Sequence, residues 1–490
     1  MIKDLFKDIA EYLPSKVIPA IIGIAALPII TRLFPPADYG SYVLVIATVS
    51  ILSALAGWVN MSVVRFYPAY ERDEKIPEFI DLTIKLTFLS ILVIPAAFLC
   101  IFFPLRTYIS RNLYYLMSIG IFVFILTSLF SVLLGFLRIK RQIKWYSCFF
   151  VCKSITALVF GVLLIIFFHL GVEGLLWGTV LSAGLALPLL WKIAVGKSCT
   201  HMTSRGVHLQ PTIEMAKYSF PLVVGNLAAW ILGLSDRYVL QFFRGVQEVG
   251  IYSISYQISQ NSIMLFISLF ALAFNPLIVI SWEKEGKESS QKFLTQGTRY
   301  FLLLCIPAIV GISVLRSPIL NVLSTPNYYE GAKIIPLVVL GVFFLGLMQR
   351  FGAGLSLYKK TYLSMFCIIT SGLLNLGLNF LLIPKYGYMA AAFTTLISYA
   401  FLLFLMIVVS RRFFVWEFPF KSLAKAMCAS SVMGIVVCQI GNSLTSSTLL
   451  NLILGIVVGV IVYSLMLFLL REFKPSEIQA LLALKAKIRR

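Results

Sequence analysis

The chain has 490 residues, of which 60% are hydrophobic and only 12% charged, so it is not a soluble globular protein with a charge-rich surface. Lys and Arg outnumber Asp and Glu 41 to 20, an excess that on a soluble protein would suggest nucleic acid. Here basic cytoplasmic loops and anionic headgroups account for it first, so no nucleic-acid partner is expected, and an anionic substrate is a third source.

Residues 1–11 are amphipathic and charged, and no small-residue cleavage site follows the first apolar run, so no cleaved signal peptide is expected. The turn from Thr31 to Tyr42, with Pro35, Pro36 and Asp38-Tyr39-Gly40, joins apolar runs at 13–34 and 39–61. Each holds about 20 apolar residues, the length of a helix that crosses a bilayer. Further runs follow at 82–103, 113–137, 146–168, 171–194, 216–242, 249–280, 296–315, 334–357, 361–383, 388–410, 421–440 and 449–470, making fourteen spans. They are continuous rather than alternating with period two, so the expected fold class is an all-α polytopic membrane protein and not a barrel.

The basic clusters Arg138-Ile139-Lys140-Arg141, Lys197/Arg205, Lys359-Lys360, Arg411-Arg412 and the tail 485–490 fall on one side, which places both termini in the cytoplasm. The eight cysteines lack metal-ligand spacing and are expected to be buried free thiols.

An internal repeat organises the chain. A single offset lays Lys144, Tyr146, Gly161, Gly171, Thr179 and Ser182 on Lys360, Tyr362, Gly377, Gly387, Thr395 and Ser398. A slightly shorter one lays Asp38-Tyr39-Gly40 on Glu248-Val249-Gly250, each opening the second helix of its half. The expected domains are therefore an N-terminal six-helix bundle at 1–212, a C-terminal six-helix bundle at 213–415 and two additional helices with a basic tail at 416–490. With an even number of spans the halves are parallel repeats about an axis along the membrane normal, an architecture of transporters working by alternating access.

Leu27-Pro28-Ile29-Ile30-Thr31-Arg32-Leu33, Asp38-Tyr39-Gly40-Ser41-Tyr42, Val63-Val64-Arg65-Phe66, Ser235-Asp236-Arg237-Tyr238-Val239-Leu240 and Val249-Gly250-Ile251-Tyr252 carry a family resemblance over the first twelve helices. In them the chain resembles the bacterial Wzx-type lipid-linked oligosaccharide flippases, the polysaccharide transporter branch of the multidrug/oligosaccharidyl-lipid/polysaccharide exporter superfamily. The resemblance implies that an undecaprenyl-pyrophosphate-linked repeat unit moves from the cytoplasmic to the periplasmic leaflet of the inner membrane for O-antigen, lipopolysaccharide or other surface polysaccharide. It also implies a cationic cleft, with the lipid tail trailing in the bilayer.

Ionisable residues inside spans are the candidate site, because burial in hydrocarbon is costly. Lys153 and Arg350 lie too deep for easy snorkelling, whereas Lys16, Arg32, Arg65 and the Asp236-Arg237 pair lie nearer helix ends. Lys85, Arg299 and Lys425, near an inner edge, are expected to snorkel. Asp236 is expected to be the one intramembrane carboxylate, and adjacent positions on a helix point about 100° apart, so Asp236 and Arg237 can serve different partners.

The balance of cations over acids suits a pyrophosphate, which Arg grips bidentately, better than a cationic drug. Asn60, Asn226, Trp230, Tyr252, Ser255, Tyr256, Ser259 and Ser262 could read sugar, against the plainer reading that such hydroxyls pack helices together. Pro28, Pro95, Pro188, Pro221, Pro276 and Pro307 are candidate kinks. The central site is sought around Asn60, Arg65, Lys153 and Arg350, with Arg32 and Arg237 as an exit-side anion site.

No Walker loop is present, and His169, His201 and His208 lack ligand spacing, so neither a catalytic centre nor a cofactor or metal is expected. Coupling to H⁺, Na⁺ or the membrane potential and contact with polysaccharide polymerase machinery stay open. A drug or cation exporter of the same superfamily is the runner-up, and a membrane polymerase or glycosyltransferase is disfavoured by the lack of a sizeable outward loop.

Overall fold

A computed structural model describes residues 2–107, 110–196, 209–441 and 448–473, which are helical almost throughout and contain no strand. The helices are α1 (Ile2–Ala25), α2 (Leu27–Leu33), α3 (Pro36–Ala56), α4 (Trp58–Arg72), α5 (Ile76–Phe102), α6 (Arg111–Ile139), α7 (Ile143–Phe168) and α8 (Glu173–Ala194). They continue with α9 (Leu209–Arg244), α10 (Val246–Glu285), α11 (Lys287–Val314), α12 (Arg316–Leu323), α13 (Ile335–Leu357), α14 (Thr361–Arg411), α15 (Phe420–Gly441) and α16 (Thr448–Leu469). Lys197, Cys199, His201, Arg205, His208 and the tail 485–490 lie outside the described residues.

Among the described residues 13 segments are long and apolar enough to cross a bilayer. One of them, α14, breaks at Gly387, where φ is 58° and ψ −143°, and so supplies two crossings. All fourteen expected spans are thereby present. Pro28 sits at the start of α2, just past the interruption at Ala26 that separates it from α1, while the comparable interruption at Gly57 between α3 and α4 carries no proline.

The described cysteines are unbridged, as expected, but only Cys305 and Cys367 are buried. Cys100, Cys148, Cys152, Cys428 and Cys438 are exposed, because a thiol is apolar enough to stand against lipid.

Packing divides the chain into two compact units. The first is Met1–Ser253 with Ile368–Thr394, and the second is Ile254–Cys367 with Thr395–Arg490. Packing thus groups α9 and the first turns of α10 with the N-terminal helices, whereas the repeat boundary at 212 concerns sequence correspondence.

In the first unit the starts of α3 and α10 cross backbone against backbone. A Cβ on Gly40 would lie 2.1 Å from the Val246 carbonyl oxygen, and one on Gly250 would lie 1.9 Å from that of Pro36. The two repeat-related turns therefore pack reciprocally, and only glycine allows it. Beside them Glu248 Oε1 accepts from Arg244 Nε at 2.9 Å and Oε2 from the Tyr388 backbone N–H at 3.0 Å. The carboxylate thus caps the helix that restarts after Gly387, whose backbone N–H groups have no lipid or water partner in hydrocarbon.

In the second unit Glu472, just past α16, is 6% exposed and accepts from Ser422 Oγ at 2.6 Å and Arg299 Nε at 2.7 Å, with Lys425 Nζ at 3.2 Å. In the first unit Lys85 Nζ lies 2.8 Å from Asp81. This corrects the snorkelling expectation for Lys85, Arg299 and Lys425. Each has an acid within reach, and a nearby carboxylate competes well with a distant headgroup. Asp81, itself buried in α5, also joins Asp236 as a carboxylate within a helix that crosses.

Two expectations follow from this packing. Gly40→Ala should lower stability by about 1–3 kcal/mol, whereas Gly171→Ala, with nothing within 4 Å, should be silent; thermal melts of the purified protein compare the two. Burial alone would raise the Glu472 pKa, but the hydrogen bonds from Ser422, Arg299 and Lys425 and the Arg299 charge hold it below the ordinary range. Its contribution is therefore complete above the ordinary carboxylate pKa and lost as pH falls through the lower folded value. Glu472→Gln should melt below wild type near neutrality and converge with it as pH falls through that lowered value; a gap that persists in acid counts against the cluster.

Candidate functional site

The first unit contains a polar chamber of about 280 Å³. Three helices build it by i, i+4 and i, i+7 spacing, which stacks side chains on one face. Helix α4 presents Asn60, α6 presents Thr127, Ser131 and Arg138, and α7 presents Tyr146, Phe150 and Lys153. Lys153 Nζ lies over the Phe130 ring at 4.7 Å, the geometry of a cation–π contact. Asn60 Oδ1 is buried with no hydrogen-bond partner, and a Cβ on Gly135 would lie 2.3 Å from it. A smaller chamber of about 90 Å³ shares Asn60, Thr127 and Ser131 and adds Thr87, Ser90 and Ser128.

No acid lines either chamber. Two cations facing neutral donors can hold an oxyanion, through charge at Lys153 and a planar fork at Arg138. The volume lies just below that of usual drug-sized pockets, so it suits one headgroup fragment rather than a whole glycolipid.

Of the residues expected to form the site, the chamber brings together Asn60 and Lys153. Arg65 is exposed on α4, one position beyond the lining residue Val64, and Arg32 is exposed at the end of α2. Arg350, Tyr256 and Ser259 belong to the second unit. There Tyr256 Oη lies 3.4 Å from that of Tyr399, and Ser259 Oγ donates to its own helix at the Ser255 carbonyl, 2.7 Å away. Ser262 does the same to Ile258 at 2.8 Å.

Arg138 and Tyr146 were not among the expected site residues. Arg138 carries the signal of a basic loop, and its place on the Thr127-Ser131-Arg138 stripe was the clue available.

Asp236, Arg237 and Tyr252 form a separate buried network in the first unit, with Asp236 2% and Arg237 5% exposed. Arg237 Nη1 donates to Asp236 Oδ1 at 2.9 Å and to the Gly233 carbonyl at 2.9 Å. Tyr252 Oη donates to Asp236 Oδ2, and the guanidinium lies 5.4 Å from the Tyr252 ring centroid. The adjacent acid and base thus pair with each other instead of serving separate partners.

Further along, Asn379 Nδ2 donates to Asn375 Oδ1 at 2.9 Å and Thr394 Oγ1 to Asn379 Oδ1, both within α14. An apolar cleft of about 1020 Å³ is lined by Thr48, Phe98, Phe102, Trp230, Tyr238 and Phe242 among others, none of them charged.

A family described as polysaccharide biosynthesis protein matches residues 5–282, and one described as MatE matches residues 221–381. The chain is 21% identical to the "Probable low-salt glycan biosynthesis flippase Agl15" of Haloferax volcanii, covering 71% of this chain and 70% of that one. It is 24% identical to the "Probable flippase AglR" of the same organism, covering 72% and 73%. The "Uncharacterized membrane protein MJ1068" of Methanocaldococcus jannaschii is 25% identical, but the chain spans only 37% of its length.

Among solved structures, lipid II flippase MurJ in an inward closed conformation superposes with a TM-score of 0.76 at 17% identity, covering 95% of this chain and 99% of that one. An inward-facing MATE family multidrug transporter superposes with 0.63 at 12% identity, covering 82% and 94%. Both are likenesses of fold.

The buried network carries its own test. Arg237→Ala leaves the buried Asp236 short of its main partner, a loss of about 3–5 kcal/mol. Tyr252→Phe removes one donor to the same carboxylate and should lose about 1–3 kcal/mol. Chemical unfolding of both variants should reproduce that order; equal losses would refute the pairing as the dominant interaction.

Proposed function

The chain belongs to the polysaccharide biosynthesis protein family, and on that premise we propose that it is a flippase moving a lipid-linked oligosaccharide across the membrane. The finer reading is an undecaprenyl-pyrophosphate-linked repeat unit carried from the cytoplasmic to the outer leaflet of a bacterial plasma membrane, by alternating access between two six-helix bundles with both termini in the cytoplasm. Two relatives matched over most of their length are named as flippases, one of them in glycan biosynthesis, which supports the coarser part. Flipping breaks no covalent bond, in keeping with a site that holds an anion and offers no nucleophile pair.

The observation that carries the substrate class is the chamber with Lys153 and Arg138 and no acid. Lys153 and Arg138 hold phosphate oxygens, Asn60 and the hydroxyls of Thr127 and Ser131 offer bonds to what is attached, and the sugar and the isoprenoid chain stay outside. Arg32 and Arg65, exposed near helix ends, are assigned to first or last contact with the anion.

A second reading, export of amphipathic drugs, draws support from the MatE match and the large aromatic cleft. That cleft has no acid to neutralise a cationic drug, whereas its apolar lining accommodates an alkyl or isoprenoid chain.

The test is a deletion strain carrying labelled lipid-linked repeat units. These should accumulate on the cytoplasmic face and be cleared by the wild-type gene. Each charge-assisted hydrogen bond is worth about 1.5–3 kcal/mol, so Lys153→Gln combined with Arg138→Gln should slow clearance at least about tenfold. Normal arrival of repeat units at the outer face in the deletion strain defeats the flippase reading, and full complementation by the double variant defeats the chamber's part in it.

A further inference from the structure

A guanidinium stays charged in any protein environment, so burying one calls for an acid or for electron-rich ring faces. Arg350 on α13 is 4% exposed and has no carboxylate partner among the described residues. What surrounds it is aromatic. Its guanidinium carbon lies 5.6 Å from the Phe270 ring centroid, 5.8 Å from that of Phe274 and 5.4 Å from that of Phe301.

Helices α11 and α13 carry glycines where these rings close in. A Cβ on Gly297 would lie 2.2 Å from the Phe274 ring, and one on Gly346 would lie 2.6 Å from that of Phe301. The cage is therefore built into three helices of the second unit.

Aromatic rings offer the guanidinium no oxygen or nitrogen acceptor. Its Nε and Nη2 are both buried and have no hydrogen-bond partner. These two nitrogens share one edge of the plane, the edge with which Arg grips a carboxylate or phosphate through two parallel N–H···O bonds. A merely structural arginine would have that edge satisfied by a carbonyl or an acid, since orphaned buried donors are rare.

We propose that Arg350 is the anchor of a second oxyanion site, closed by its phenylalanines here, that takes the phosphate of the transported lipid through its Nε–Nη2 edge. The choice of that phosphate over other oxyanions rests on the flippase reading. For the ligand to enter, Phe270 and Phe274 must turn aside; both stand on α10, where Pro276 interrupts the hydrogen-bond ladder nearby. Each compact unit then has its own place for the anion, the chamber in the first and Arg350 in the second.

The test uses the full chain in zwitterionic nanodiscs with radiolabelled inorganic pyrophosphate as the probe. Wild type should bind two equivalents, Arg350→Met one, and Lys153→Gln should keep the Arg350-dependent one. Arg350→Met should also melt at or above the wild-type temperature, because it removes an unpaired buried charge, an outcome that a purely structural role would not produce. Arg350→Lys keeps the charge without the fork and should bind at least about tenfold more weakly at this site.

Unchanged stoichiometry in Arg350→Met, or a melting temperature well below wild type, overturns the proposal. So does competition by phosphatidylglycerol nanodiscs but not by an isoprenyl diphosphate, which would assign the edge to a bilayer headgroup. Normal flipping by Arg350→Met sinks this inference alone, while a wild-type chain that binds pyrophosphate and flips nothing sinks the flippase reading alone.

Discussion

The crossing of α3 and α10 at Gly40 and Gly250 constrains much of the first unit. Between helices that stand in hydrocarbon, association has to come from close packing and internal hydrogen bonds, since lipid is as apolar as leucine. Two glycines facing each other's carbonyls bring the helix starts closer than any side chain would permit. That proximity has a polar consequence. Glu248 stands two residues from Gly250 and caps the restart of α14, where a Cβ on Gly387 would lie 2.4 Å from the carboxylate. Three glycines and one acid thus hold a broken helix together in a medium that satisfies no backbone group.

The same physics explains which parts of the fold could be read in advance. Apolar runs of helix-crossing length are nearly unambiguous, and the repeat-related glycines at Gly40, Gly250 and Gly387 stand out by register. What those glycines do was invisible, because a contact between residues about 200 apart leaves no local trace. The interruption at Gly57 escaped for the opposite reason. A lone glycine in an apolar run is common in membrane helices, and most such glycines continue the helix.

Charges were harder to read than helices. Lys85 could have been paired from sequence, since Asp81 lies one turn before it on α5, while the partner of Arg299 and Lys425 is a glutamate past the last span. Snorkelling and ion pairing give the same sequence signal, a cation near a helix end, and only the position of the acid separates them. Arg138 was hidden likewise, since a basic loop and a cavity-lining guanidinium both place an arginine at the end of a span. Asn60 and Lys153 were legible because nothing but a partner or a cavity explains a polar group that deep. Arg65 shows the limit of such reasoning. It follows Val64, which lines the chamber, and one residue of helix rotates a side chain by about 100°.

Three arginines in these helices differ chiefly in what stands beside them. Arg237 has Asp236 at 2.9 Å as its counter-ion. Arg138 borders an open chamber with no acid on its walls, so its charge is available to whatever enters. Arg350 is neither paired nor open, with three rings around it and two donors on one edge unmet. An arginine with its counter-ion is worth little to an incoming anion, because that anion must displace a partner already desolvated beside it. By that criterion the acids of the first unit matter as much as its bases: Asp236 and Asp81 claim Arg237 and Lys85, while no acid lines the chamber that holds Lys153 and Arg138.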